Sequence, residues 1–126
     1  MSRRRVIIVE RDVGALCSLV GGLQDEFAIL ALRSPEAALC ASPELYDAIL
    51  LGVAEDGWQA MTFARALQER LITTPVVFAA ANPQMAAVAE QAAAFAFLPK
   101  PVEERVVARV LGMAAEALRA PMAESG

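Results

Sequence analysis

The sequence contains no histidine. That removes the commonest general base, proton shuttle and metal ligand, so histidine-dependent triads and zinc sites are excluded. Cysteine is scarce: Cys17 and Cys40 are too far apart for a metal-type pair and lie within apolar helical patterns, so both are expected to be reduced core residues. Long apolar runs are also missing. None approaches the 18 or so residues that a membrane span needs. Arg3-Arg4-Arg5 is followed by only four apolar residues before Glu10, so no signal peptide is expected. These absences point to a cytoplasmic protein without membrane association. Positive charge is in deficit, with 11 Lys and Arg against 15 Asp and Glu and a net charge of −4. Nucleic-acid affinity comes mainly from phosphate neutralisation, so no nucleic-acid partner is expected. Arg3-Arg4-Arg5, the one basic cluster, reads as a solubilising lead-in to a first strand.

What remains is an apolar chain of one-domain length. Its 126 residues are 57% hydrophobic, enough for one sizeable core and too apolar for disorder over most of the length. Val6-Ile7-Ile8-Val9 is a β-branched run that ends in the charged Glu10-Arg11-Asp12. Asp12 can cap a helix whose apolar positions Leu16, Leu19, Val20 and Leu23 recur at helical spacing. Phe27 to Leu32 is the next strand, and Ser34-Pro35-Glu36 starts a second helix with a cap, a proline at the first position and an acid in the first turn. Tyr46 to Gly52 is a third strand, uncharged from Ala48 onward, as expected of a parallel sheet covered on both faces. Gly57-Trp58 opens a helix with Met61, Ala64, Leu67 and Leu71 on its apolar face.

Pro75 to Ala80 is a fourth strand. Asn82-Pro83 caps and starts a fourth helix, nearly all alanine through Ala94, and Phe95 to Leu98 is a short fifth strand closed by Pro99-Lys100-Pro101. A last helix from about Val102 to Leu118 should bury Val106, Val107, Val110, Met113 and Ala114. Strands alternating with helices in this way imply a doubly wound parallel α/β sheet in three layers with right-handed crossovers. Residues 1–119 then form the domain, and 120–126 a frayed tail.

In open α/β sheets reactive groups sit just past the carboxyl ends of the central strands. On the third strand that place is Gly52, which has no side chain. The residues at the strand ends carry a family likeness: Val6-Ile7-Ile8-Val9-Glu10, Asp47 to Gly52, Pro75 to Ala81, and Lys100-Pro101. Arg11 to Gly52 spans 41 residues, Gly52 to Ala80 spans 28, and Ala80 to Lys100 spans 20. In order and spacing, Arg5 to about Leu118 resembles a bacterial response-regulator receiver domain. The resemblance implies a flavodoxin-like, CheY-like five-stranded sheet of order 2-1-3-4-5 and a commonly cis lysine–proline peptide.

It also implies a phosphoryl-transfer site built from an aspartate nucleophile, acids that hold magnesium, a hydroxyl and a lysine. Carried over residue by residue, this sequence keeps only part of that set, which identifies it as an atypical member. Gly52 stands where the nucleophile belongs and Ala80 where the hydroxyl belongs. Glu10 matches the first acid, but Arg11 takes the place of the second and should repel a cation, which Asp12 could offset by swinging inward. Phe97 stands at the aromatic switch position. Magnesium binding is therefore expected to be lost or weak, and Glu10, Arg11 and Lys100 to form a satisfied charge cluster. A sharper alternative has Glu55 or Asp56 fold back over Gly52 as a displaced acceptor, and a third has a small ligand in the cleft above Gly52.

A receiver fold without that chemistry acts through surfaces. In the family, the fourth helix, fifth strand and fifth helix form the usual dimer or partner face, which makes Met85, Val88, Phe95 and Val106 interface candidates. The alanine-rich fourth helix reads equally as an association surface or as a run of good helix formers. Of Trp58 and Phe63, one should face the core and the other be an exposed contact. The expected function is a non-enzymatic, phosphorylation-independent signalling adaptor that binds a protein partner or itself.

Overall fold

The computed structural model describes residues 3–53 and 57–119. Five strands alternate with five helices: β1 (Arg4–Val9), α1 (Val13–Leu23), β2 (Phe27–Leu32), α2 (Pro35–Cys40), β3 (Ala48–Gly52), α3 (Trp58–Glu69), β4 (Val76–Ala80), α4 (Met85–Gln91), β5 (Ala96–Pro99) and α5 (Glu104–Arg119). A single 3-10 turn over Pro43–Leu45 leads into β3. All strand pairs are parallel and the order is β2-β1-β3-β4-β5, as the strand-end likeness implied. The expected tail at 120–126 lies outside the described residues.

Each central strand is apolar on both faces because helices cover both. On one side Ile7, Val9, Ile49, Leu51 and Phe78 pack with Ala60, Phe63, Ala64 and Leu67 of α3 and with Met85 and Ala89 of α4. On the other, Val6, Ile8, Leu50 and Val77 pack with Leu16, Leu19 and Leu23 of α1 and with Val107, Leu111 and Ala114 of α5. Burial of each large side chain contributes about 1.5–3 kcal/mol.

Helix starts follow the local chemistry. The Asp12 carboxylate accepts from the Ala15 N–H at 2.7 Å, and Ser34 Oγ accepts from the Ala37 N–H at 3.2 Å. Asn82 and Pro83 do not begin α4 directly. They form a turn in which Asn82 Oδ1 accepts from the Gln84 N–H, and the helix starts at Met85.

Several expected core positions are corrected by helix phase. Cys17 and Cys40 are exposed, because α1 buries Leu16, Leu19 and Leu23 and α2 buries Ala38, and neither cysteine shares those stripes. Leu71 is 87% exposed at φ +58°; α3 has ended at Glu69, so helical periodicity no longer applies. In α5 the buried stripe is Val107, Leu111, Ala114 and Ala115, which turns Val106 and Met113 outward. Tyr46 lies just before β3, with the Arg5 guanidinium 4.7 Å from its ring centre. The three arginines brace the fold instead of leading loosely into it. Arg3 donates to the Gln24 carbonyl, Arg4 pairs with Glu116 and donates to the Gly112 carbonyl, and the Arg5 N–H donates to Asp47 at 2.9 Å.

Candidate functional site

The parallel ladder brings the strand ends together. Val9 lies beside Leu51 and Gly52 beside Ala79. The Lys100 N–H donates to the Ala80 carbonyl at 2.9 Å, which fixes the start of the connection to α5. Glu10, Gly52, Ala80 and Lys100 are therefore gathered at one end of the sheet, where the sequence placed them.

Glu10 is the centre of the cluster. Its backbone N–H donates to the Leu32 carbonyl at 3.0 Å, which continues the ladder past β1. One carboxylate oxygen, Oε1, accepts from Lys100 Nζ at 2.7 Å, and the other, Oε2, accepts from the Asp12 N–H at 3.0 Å. The Glu10 side chain is 8% exposed and that of Lys100 29%. A nearly buried carboxylate needs such partners, and each bond to a charged group contributes about 1.5–3 kcal/mol.

The Glu10–Lys100 pair is as expected, but Arg11 does not join it. Arg11 is exposed, and its carbonyl accepts from Arg33 Nη2 at 3.0 Å. Asp12 does not swing inward either, since its carboxylate is committed to capping α1. Ala80 is buried among the apolar side chains on the α3 side of the sheet, and Phe97 is half-buried against the same cluster. The Lys100–Pro101 peptide is cis. Glu55 and Asp56 lie outside the described residues.

A hard cation needs several oxygen donors. Among the described residues no group of three or more Asp, Glu, Cys or His converges, and the one buried carboxylate is already satisfied by Lys100 and Asp12. This donor set does not fit magnesium.

Beside the cluster, a cleft of about 440 Å³ runs between α1 and the β5–α5 connection, lined by Asp12, Ala15, Ser18 and Leu19 on one side and Pro101, Val102 and Glu104 on the other. Sequence reasoning missed it. Its signal was the small residues Ala15 and Ser18 on the α1 face toward α5, with Gly22 one turn on, where a Cβ would overlap the Glu104 carboxylate. Of the interface candidates, Met85 is buried, its sulfur packed toward Gly57, while Val88 is half-buried and Phe95 and Val106 are exposed. Phe63 faces the core and Trp58 is 67% exposed. Among the described residues no helix is long and apolar enough to cross a membrane.

No family model matches the sequence, and no curated protein does. Solved structures do match. FixJ-N is 26% identical with a TM-score of 0.82, covering 96% of this chain and 100% of its own. The signal receiver domain of the response regulator NarL from Mycobacterium tuberculosis is 20% identical with a TM-score of 0.80, covering 92% and 98%. A sensor protein from Polaromonas is 22% identical with a TM-score of 0.80, covering 93% and 99%. The chain has the receiver-domain fold of response regulators.

Proposed function

We propose that this receiver domain is a phosphorylation-independent signalling adaptor that acts by binding a protein partner, without enzymatic activity of its own. The observation that carries the reading is Gly52: the strand end where the family places its nucleophile has no side chain, and Glu10, the carboxylate beside it among the described residues, is neutralised by Lys100 at 2.7 Å. A phosphoryl group arriving there would meet no nucleophile on β3 and, among the described residues, no group of cation-holding acids, and phosphoryl transfer depends on both. Magnesium binding is lost or weak for the same reason, and the protein works in the cytoplasm.

The proposed partner surface is formed by α4, β5 and α5. β5 is an edge strand of the sheet. Phe95 and Val106 are exposed here, with Val88 half-exposed, and the outward face of α4 carries Ala86 and Ala87, small enough for close approach of a second helix. A second copy of the chain is one partner this face fits. A small-ligand sensor is a second reading, favoured by the cleft beside Lys100. Its rim carries Asp12 and Glu104, which disfavour phosphate-bearing ligands.

Incubation with acetyl phosphate and magnesium, followed by intact-mass measurement, tests the adaptor reading. The expected result is an unchanged mass, and addition of one phosphate removes its premise.

A further inference from the structure

Gly52 is more than a lost acceptor. A Cβ built on Gly52 would stand 2.9 Å from Glu10 Oε1, 3.4 Å from Glu10 Cδ and 3.1 Å from the Val9 carbonyl oxygen. The first distance is shorter than any ordinary contact between a methyl carbon and an oxygen. The Val9 carbonyl belongs to the β1 backbone, buried in the centre of the sheet, so a methyl group at residue 52 cannot escape in that direction. The Glu10 carboxylate would have to move, and it is held at both oxygens, by Lys100 Nζ and by the Asp12 N–H.

We infer that the Glu10 carboxylate occupies the volume vacated by the residue-52 side chain and that its pair with Lys100 is a permanent internal latch, closing the β5–α5 connection onto β1 without an added ligand. An acid one methylene longer than aspartate reaches over a residue with no side chain, so each feature depends on the other. Lys100 opens the segment that leads through Pro101 and Val102 into α5, and its backbone is already tied to Ala80. With its amine fixed as well, the segment is anchored to two strands. On the adaptor reading, on which this consequence alone rests, the partner face is held in one state and partner affinity is independent of any phosphoryl donor.

Lys100 is the sole lysine of the chain, so an amine-reactive acylating reagent followed by peptide mass mapping reports it without interference from other side chains. Gly52→Ala, Glu10→Ala and the double variant are compared with the unaltered protein. Loss of one charge-assisted hydrogen bond should raise the Lys100 acylation rate about tenfold in each single variant. The double variant should stay near about tenfold, because both substitutions act through the same carboxylate. Gly52→Ala should lower the melting temperature in the native background by more than in the Glu10→Ala background, where the space is open. An unchanged acylation rate in Gly52→Ala overturns the latch, as does a double variant whose effects multiply to about a hundredfold. If Gly52→Ala does not fold, the double variant decides: folding with a Glu10→Ala-like rate supports the latch, and failure to fold overturns it. These outcomes are separate from the adaptor reading, which a mass gain with acetyl phosphate would remove while leaving the acylation pattern intact.

Discussion

Gly57 and Leu71 flank α3, both with positive φ, +67° and +58°, and they show how differently single residues meet the same backbone demand. Glycine adopts this conformation freely, whereas a side chain there costs about 1–2 kcal/mol. At Gly57 a Cβ would also stand 2.9 Å from Met85 Sδ on α4, so Gly57→Ala should lose about 2 kcal/mol or more by adding displacement of Met85 to the backbone cost. Leu71 has the strain without compensating burial, and Leu71→Gly should gain up to about 1 kcal/mol. Urea denaturation of both variants measures these changes. The two were not equally legible: Gly57 before a helix was readable as a turn, but nothing in the spacing of Leu67 and Leu71 announced that α3 would stop between them.

At the scale of elements, phase decides what a helix presents. α5 buries Val107 and Ala114 as expected, together with Leu111 and Ala115, whereas Val106 and Met113 of the expected stripe are turned away from the core and Val110 is only partly buried against it. The difference leaves Val106 40% and Met113 54% exposed, and it moves Val106 from the core to the surface, where the proposed partner face lies. If the proposed α4–β5–α5 face is the partner surface, Val106→Glu should weaken association there, measured as self-association by light scattering. Its unfolding free energy should stay within about 0.5 kcal/mol of the unaltered protein, as expected for a surface change. A loss of several kcal/mol would return Val106 to the core. On α4 the correction runs the other way, since Met85 is buried beneath the face it was expected to form.

At the scale of the whole molecule, the sheet is a shared wall between two apolar clusters, one under α2, α3 and α4 and one under α1 and α5. Phe63 and Leu111 are fully buried on opposite sides. Phe63→Ala should cost about 3–5 kcal/mol and Leu111→Ala about 2–5 kcal/mol. Because both clusters grip the same strands, each variant should still unfold in one transition, with circular dichroism and Trp58 fluorescence coinciding. Separate transitions would mean that the two layers fold independently.

The strands, their parallel arrangement, the caps at Asp12 and Ser34 and the identities at the strand ends were all determined by the sequence, because apolar runs, cap residues and turn residues act over a few neighbouring positions. The missing side chain at Gly52 was equally plain. Only the tertiary structure decided what fills that place. Glu10 reaches Gly52 across a gap of 42 residues, and Lys100 reaches Glu10 across 90. The direction of a carboxylate depends on which backbone N–H, which amine and which empty volume surround it once the strands are paired. The same holds for Cys17, Cys40, Val106 and Met113, whose exposure follows from the rotation of each helix against the sheet, a choice made by the packed core as a whole.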